Sequence, residues 1–349
     1  SETMLLSDFD VASYYPNIMM VAGLIPKLGG NKGKVFLDEY QKIYETRIAA
    51  KRAGDKKTAN TLKIVLNGTF GKLGSIYCSF YSPDLLLAVT LTGQLNLLCL
   101  IYDLEKIKGV QVRSANTDGV LVAYPPEARQ QVLDVFTKNN KRTGFEYEET
   151  PYAKYAAKDV NNYLAIGVDG KVKRKGLYGV SGISEADTPG GKNPTMEVCS
   201  NMAIEYLKTG VIDISQHKDM RDFVSVRNVK GGGIQYDRYV EVDDWELIED
   251  HDSAQNVWQN GKGKQVKRKS RPKPYEVGQG GEPFGRVARW YMTTKDMPPL
   301  SYIDSGNRVP KTEGARLCLT LPKELPKDLN KQWYIDETLS ILADLGVSI

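Results

Sequence analysis

Three short segments constrain this chain more than the rest of it: SDFDVASYYPN over 7–17, KIVLNGTFGKLG over 63–74 and ANTDGVLV over 115–122. Alternation through MLLSDFDV (4–11) predicts a strand with Asp8 and Asp10 on one face and Leu5, Phe9 and Val11 on the other. Pro16 and Asn17 are read as ending it. Residues 37–53 are good helix formers without Pro or Gly, and Gly54-Asp55 closes that run. A second helix over 56–72 then returns antiparallel, so the two make a helical hairpin. VQVRSANTDGVLVAY alternates on both sides of a tight turn, a β-hairpin whose tip carries Asn116 and Asp118. Joined in this order, two acidic strand ends and a cationic helix face can line one cleft.

The rest of the chain adds scale. A length of 349 residues predicts two or three subdomains. Residues 83–107 read as a long apolar helix beneath the core, although no stretch is read as reaching transmembrane length. Residues 151–175 read as a second hairpin turning at Asp169-Gly170 and laced with Lys158, Lys171, Lys173, Arg174 and Lys175. Past residue 180, helical pieces at 196–208 and 331–345 flank a β-rich, Gly-punctuated middle without internal repeats. Within it, 241–252 is acidic and 261–274 carries seven bases and no acid, a surface excursion by its length. Lys plus Arg exceed Asp plus Glu by 47 to 43, which by itself announces no nucleic-acid partner. Four dispersed cysteines without CxxC spacing argue against zinc and disulfides and fit a reducing compartment. Two isolated histidines argue against histidine-centred catalysis. The start is not a signal peptide, and a motif within ten residues of it reads as a module with a natural upstream region.

Each motif residue has an ordinary explanation. An Asp at a strand end is commonly structural, Asp-Gly is what a type I′ turn takes, a Lys on an amphipathic helix is usually solvated, and an aromatic before Pro packs. Their co-occurrence shifts the weight. Transfer from a nucleoside triphosphate requires neutralising a multiply charged anion and lowering the pKa of an attacking hydroxyl, and two Mg²⁺ ions on shared carboxylates do both. Mg²⁺ keeps waters and substrate oxygens, so two protein carboxylates suffice, and Asp10 with Asp118 are the candidates. Arg47 and Lys51 are i,i+4 neighbours on the first helix of the hairpin. Lys63, Asn67 and Phe70 share a stripe on the second, so the hairpin can present cations to a triphosphate and swing over it.

On these residues the chain resembles the polymerase region of family B DNA polymerases, most like the phage-encoded members. The family's Asp-x-x-Ser-x-Tyr-Pro is matched by Asp10, Ser13, Tyr15 and Pro16, and its Lys-x-x-x-Asn-Ser-x-Tyr-Gly by Lys63, Asn67 and Gly71, with Gly68 and Phe70 departing. Its Asp-Thr-Asp-Ser reads here Asn116-Thr117-Asp118-Gly119, which keeps the ligating second Asp. A Lys-rich motif ending in Tyr is matched by Lys158 and Tyr163. The likeness is specific over about residues 1–180 and positional beyond.

The resemblance implies an α+β, right-hand polymerase architecture: an antiparallel-sheet palm (1–30 and 73–180), short helical-hairpin fingers (31–72) and a mixed thumb (181–349). It implies DNA-directed DNA synthesis from dNTPs on primer–template DNA, with two Mg²⁺ ions, for which Mn²⁺ can substitute, on Asp10, the Val11 carbonyl and Asp118. Nucleotide contacts fall to Ser13, Tyr15, Arg47, Lys51, Lys63 and Asn67, Tyr15 acting as a steric gate against a 2′-hydroxyl. DNA contacts fall to Phe70, Gly71, Lys158, Tyr163, Lys173 and Lys175, and the bases at 262–273 and the FGRVARWY segment (284–291) become candidates for gripping duplex through phosphates. A proofreading exonuclease would be a domain or subunit outside this chain, no membrane partner is implied, and the location is cytoplasmic, in the host if phage-encoded. Spacings of 52 residues between Asp10 and Lys63 and 50 between Asn67 and Asp118 leave no room for the inserts of protein-primed members. Two rivals stay open: a catalytically impaired DNA-binding or assembly subunit of polymerase shape, motivated by Asn116 and Gly119, and an RNA-synthesising or priming enzyme on a similar palm.

Overall fold

The computed structural model describes residues 4–26, 28, 31–179, 196–229, 233–236, 257–259, 265–267, 287–302, 305–318 and 320–349. Most of the acidic and basic runs at 241–275, including most of 262–273, lie outside the described residues. In chain order the elements are β1 (Leu5–Val11), α1 (Tyr14–Val21), α2 (Lys32–Arg52), α3 (Lys56–Lys72), α4 (Pro83–Glu105), β2 (Gln111–Asn116), β3 (Gly119–Tyr124), α5 (Arg129–Thr143), β4 (Tyr147–Asp159), β5 (Asn162–Gly167), β6 (Val172–Arg174), α6 (Glu197–Thr209), α7 (Met220–Phe223), β7 (Ser225–Asn228), β8 (Ile234–Tyr236), β9 (Val257–Gln259), β10 (Gln265–Lys267), β11 (Val287–Met292), β12 (Leu300–Tyr302), β13 (Ala315–Leu317) and α8 (Lys331–Asp344). They cluster into two compact units: Ser1–Tyr155 with Ala165–Lys173, and Ala156–Leu164 with Arg174–Ile349.

A six-stranded sheet in the order β2-β3-β1-β4-β5-β6 carries the first unit. β1 runs antiparallel to both β3 and β4, so Asp10 stands level with Gly119 on one side and Glu148 on the other. The alternation read from the sequence holds: Phe9 and Val11 are buried while Asp8 and Asp10 are half-buried. Phe9 stacks on Phe136 of α5 at 4.0 Å between centroids, within a core that also takes Ile18, Leu66, Val89, Leu100 and Tyr124. Each such side chain contributes about 2 kcal/mol by its burial.

Pro16 and Asn17 do more than end a strand, because α1 starts directly after β1 and contains both. The first intrahelical donor there is the Asn17 N–H, to the Ser13 carbonyl at 2.9 Å, so proline's missing donor costs nothing one residue earlier. The helical hairpin is present, with its first helix beginning five residues before the expected start at 37. Asp55 caps the second by accepting from the Thr58 N–H at 3.0 Å, and the Tyr40 hydroxyl donates to the Leu66 carbonyl at 2.9 Å, tying the helices together.

Two other expectations are corrected. α4 is apolar and long enough to cross a membrane by length and composition, with mean hydropathy 1.8 in its best window. It buries Leu85, Val89, Leu97, Leu100 and Leu104 in the core of this unit, while Leu87, Leu91, Leu95 and Leu98 are exposed. The segment 151–175 is a run of three strands and not one hairpin. An additional turn at Val160-Asn161 forms because the Asp159 carboxylate accepts from the Asn161 N–H at 2.8 Å and from the Asn162 side chain. Such Asx chemistry competes with the ladder wherever Asp and Asn lie two apart.

The second unit has its own core of Val198, Met202, Phe223, Tyr236, Trp290 and Tyr334, drawn from α6, α7, α8 and the sheets β13-β11-β7 and β12-β8. Tyr334 organises it, its hydroxyl accepting from the Met292 N–H and donating to the Phe223 carbonyl, both at 2.8 Å. All four cysteines are free thiols, and burial pushes that of Cys199 up to about 12.

Candidate active site

Asp10 and Asp118 are brought together by strand pairing. The Val11 N–H donates to the Asp118 carbonyl at 2.8 Å, and Asp10 is in register with Gly119. The turn between β2 and β3 is Thr117-Asp118, and neither residue has a positive φ. A type I′ turn needs positive φ at both positions, so the ordinary explanation for Asp-Gly here falls away. Gly119 is required for another reason: a Cβ on it would lie 2.1 Å from Asp10 Oδ1 and 3.0 Å from the Phe9 carbonyl oxygen. The Asp10 carboxylate occupies the space that a side chain at 119 would fill.

The α2–α3 hairpin packs beside this end of β1 through Arg47 on Ser13 and Lys51 on Glu148. Arg47, expected to project from the same helix face as Lys51, is buried at 9% exposure and donates through Nη1 to the Ser13 hydroxyl. Its Nε is buried with no hydrogen-bond partner among the described residues. Ser13 is one of three non-glycine residues of positive φ among those described, at 52°, a conformation that costs about 1 kcal/mol and recurs at functional sites. Lys51 is exposed and paired with Glu148. On α3, Lys63 and Asn67 are exposed and Phe70 is buried, stacking on Tyr15 at 4.5 Å. A side chain at Gly71 would meet no protein atom, which leaves the space over this face to whatever approaches it. Tyr15 is half-buried, and burial followed by the Asp118 charge raises its pKa, so the phenol stays neutral.

Behind Tyr15 stands a network the sequence reading missed. The Tyr14 hydroxyl donates to the Gly93 carbonyl at 2.7 Å and accepts from the Asn96 side chain at 3.1 Å. Asn96 also donates to the Tyr147 hydroxyl and accepts from Asn139 at 3.0 Å. Desolvation raises the Tyr147 phenol to about 12. An Asn in the middle of an apolar helix was the available signal. A second group was missed on the sheet. Lys173 Nζ lies 3.2 Å from Asp8 Oδ2 and 3.9 Å from Asp10 Oδ2, and Tyr152 donates to Asp8 at 3.3 Å.

Lys158, Tyr163 and Lys175 fall in the second unit. Lys158 is paired with Asp344 at 2.7 Å. Tyr163 is buried at 5% exposure, and its carbonyl accepts from the Lys175 N–H at 3.0 Å. Of the FGRVARWY segment the structure describes Val287–Tyr291, which lies in β11 with Ala288 and Trp290 buried; 284–286 lie outside the described residues.

No family model matches the chain. Over 80 residues, 23% of this chain, it is 32% identical to DNA polymerase II of Escherichia coli (strain K12), a stretch that spans 10% of that protein. The structure of the family B DNA polymerase from the hyperthermophilic archaeon Pyrobaculum calidifontis superposes with a TM-score of 0.51 at 13% identity, covering 100% of this chain and 46% of that one. That likeness is one of fold. The chain spans about half the length of the archaeal enzyme.

The donor set suits a hard divalent cation. Asp10, near the end of β1, and Asp118, in the adjoining β2–β3 turn, offer carboxylates, and Val11 beside Asp10 offers a backbone carbonyl, all oxygen. Among the described residues no group of three or more His, Cys, Asp or Glu is placed to hold a metal ion. The buried guanidinium of Arg47, with Nε unpartnered, suits an anion such as a phosphate.

Proposed function

We propose that this chain is a DNA-directed DNA polymerase module that adds dNTPs to a primer 3′-hydroxyl and releases pyrophosphate. The observation that carries the reading is the glycine under Asp10: the strand pairing, the missing Cβ and the oxygen donors of Asp10, Val11 and Asp118 meet where the end of β1 adjoins the β2–β3 turn. The likeness to family B polymerases agrees with it.

In this reading Asp10 and Asp118 hold two Mg²⁺ ions, which supply charge neutralisation of the triphosphate and a lowered pKa for the attacking hydroxyl. Arg47 is aimed by Ser13 toward the triphosphate, and Lys51 and Lys63 add charge from the same hairpin, Lys51 exchanging Glu148 for phosphate. Tyr15 is wedged between Tyr14 and Phe70, so its ring cannot retreat from the sugar, and a ribose 2′-hydroxyl meets it. Gly71 borders the templating base pair. Lys158 and Lys175 contact the primer–template backbone, Lys158 exchanging Asp344 for phosphate.

Primer extension with labelled dNTPs tests the reading. Asp10→Asn lowers extension by about 10³-fold or more while the melting profile and DNA affinity stay as in the parent. Near-parental extension by that variant sinks the assignment. Failure of the parent itself to extend with either Mg²⁺ or Mn²⁺ favours the binding-subunit alternative, which Asn116 motivates.

A further inference from the structure

We infer that Lys173 is a built-in counter-cation to the Asp10 carboxylate, held in place by Asp8 and Tyr152, and that it makes divalent-cation binding depend on the arrival of substrate phosphate. The inference rests on Asp10 being a metal ligand.

The holder is specific. Lys173 Nζ is 3.2 Å from Asp8 Oδ2, 3.0 Å from the Tyr152 hydroxyl and 3.9 Å from Asp10 Oδ2. The Tyr152 hydroxyl donates to the same Asp8 oxygen at 3.3 Å, and its ring centroid lies 5.8 Å from the ammonium. Tyr152 is buried, and the Asp8 side chain is only 15% exposed against 40% for Asp10. A lysine side chain is long and flexible with three rotatable donors, so holding it takes fixed partners, and two shielded groups supply them. Lys171, on the turn just before β6, shows the contrast, with its side chain 87% exposed and paired with its turn neighbour Asp169.

The consequence is electrostatic. A unit charge about 4 Å from a carboxylate interacts strongly where water is partly excluded, and a divalent cation on Asp10 meets that charge as repulsion. Asp8 offsets part of it and keeps the ammonium from moving fully onto Asp10. When a triphosphate or a primer phosphate enters, its negative charge relieves the repulsion, so metal and substrate bind with positive coupling. Lys173 and its partners therefore act as positioning and affinity-setting residues, and none of them needs to touch the reacting atoms.

Mn²⁺ binding to the full chain, followed by electron paramagnetic resonance of the free ion without nucleotide or DNA, reads this directly. Lys173→Met tightens Mn²⁺ binding about fivefold, and Asp8→Asn weakens it by a similar factor. Lys173→Arg, which keeps the charge, stays within about twofold of the parent. Adding dNTP tightens Mn²⁺ binding in the parent and does so less in Lys173→Met. Unchanged or weaker Mn²⁺ binding by a normally melting Lys173→Met overturns the inference, as does equal dNTP coupling in parent and variant. Asp10→Asn separates the two levels. If it binds Mn²⁺ like the parent, the metal-site reading of Asp10 fails; if it loses Mn²⁺ while Lys173→Met matches the parent, only the counter-cation role fails.

Discussion

The chain contains two Asp-Gly pairs at hairpin turns, Asp118-Gly119 and Asp169-Gly170, and they exist for different physical reasons. At the second, Gly170 has φ +79° with open space around its Cα, and Asp169 caps its own turn by accepting from the Lys171 N–H at 3.0 Å. That pair is explained by turn chemistry alone. At the first, no positive φ occurs, Gly119 is the opening residue of β3, and the missing Cβ makes room for the Asp10 carboxylate on the neighbouring strand. Asp169-Gly170 serves a backbone and Asp118-Gly119 serves a distant side chain, which is why Asp118-Gly119 points to a site and Asp169-Gly170 does not.

Substitution of the acids breaks this contrast most sharply. Asp118→Asn lowers primer extension by about 10³-fold or more, whereas Asp169→Asn leaves it within about twofold; equal effects would show that Asp118 is only a turn residue. The glycines come next. Gly119→Ala displaces the Asp10 carboxylate and lowers extension about 10- to 100-fold with little change in DNA affinity. Gly170→Ala instead costs about 1 kcal/mol of stability, read from denaturant midpoints, and spares activity, because its penalty is backbone strain at positive φ. If the two alanine variants exchange phenotypes, the assignment of the carboxylate cradle is wrong.

A smaller effect is expected at the sugar. Tyr15→Ala admits ribonucleotides, lowering dNTP over rNTP selectivity about tenfold in parallel single-nucleotide incorporations; unchanged selectivity removes the gate role. The smallest effect concerns pH. Hydrogen bonding from Lys171 holds the Asp169 carboxyl below its ordinary range. A depressed native pKa contributes stability above the unfolded value and loses it as pH falls through the native one, so acid titration followed by NMR shows Asp169 protonating below an ordinary aspartate while the β5–β6 turn loosens. An ordinary titration would mean that the cap does not form in solution.

What the sequence determined by itself is local. Period-two alternation placed β1, β2 and β3, the Gly54-Asp55 stop placed the start of α3 and helical patterning placed α8 nearly to the residue, and the spacing of Asp10, Lys63 and Asp118 was enough to pick out the candidate residues, because these signals depend on neighbours a few positions apart. It could not rank the two Asp-Gly pairs, whose nearest neighbours in sequence offer the same turn chemistry. Nor could it foresee that Arg47 is buried against Ser13, that Asn96 braces Tyr14, or that Lys173 meets Asp8 and Asp10 from more than 160 positions away. Those facts are set by which strands lie side by side and which side chains they exclude from water, and charge, sterics and burial across such distances exist only once the chain has folded.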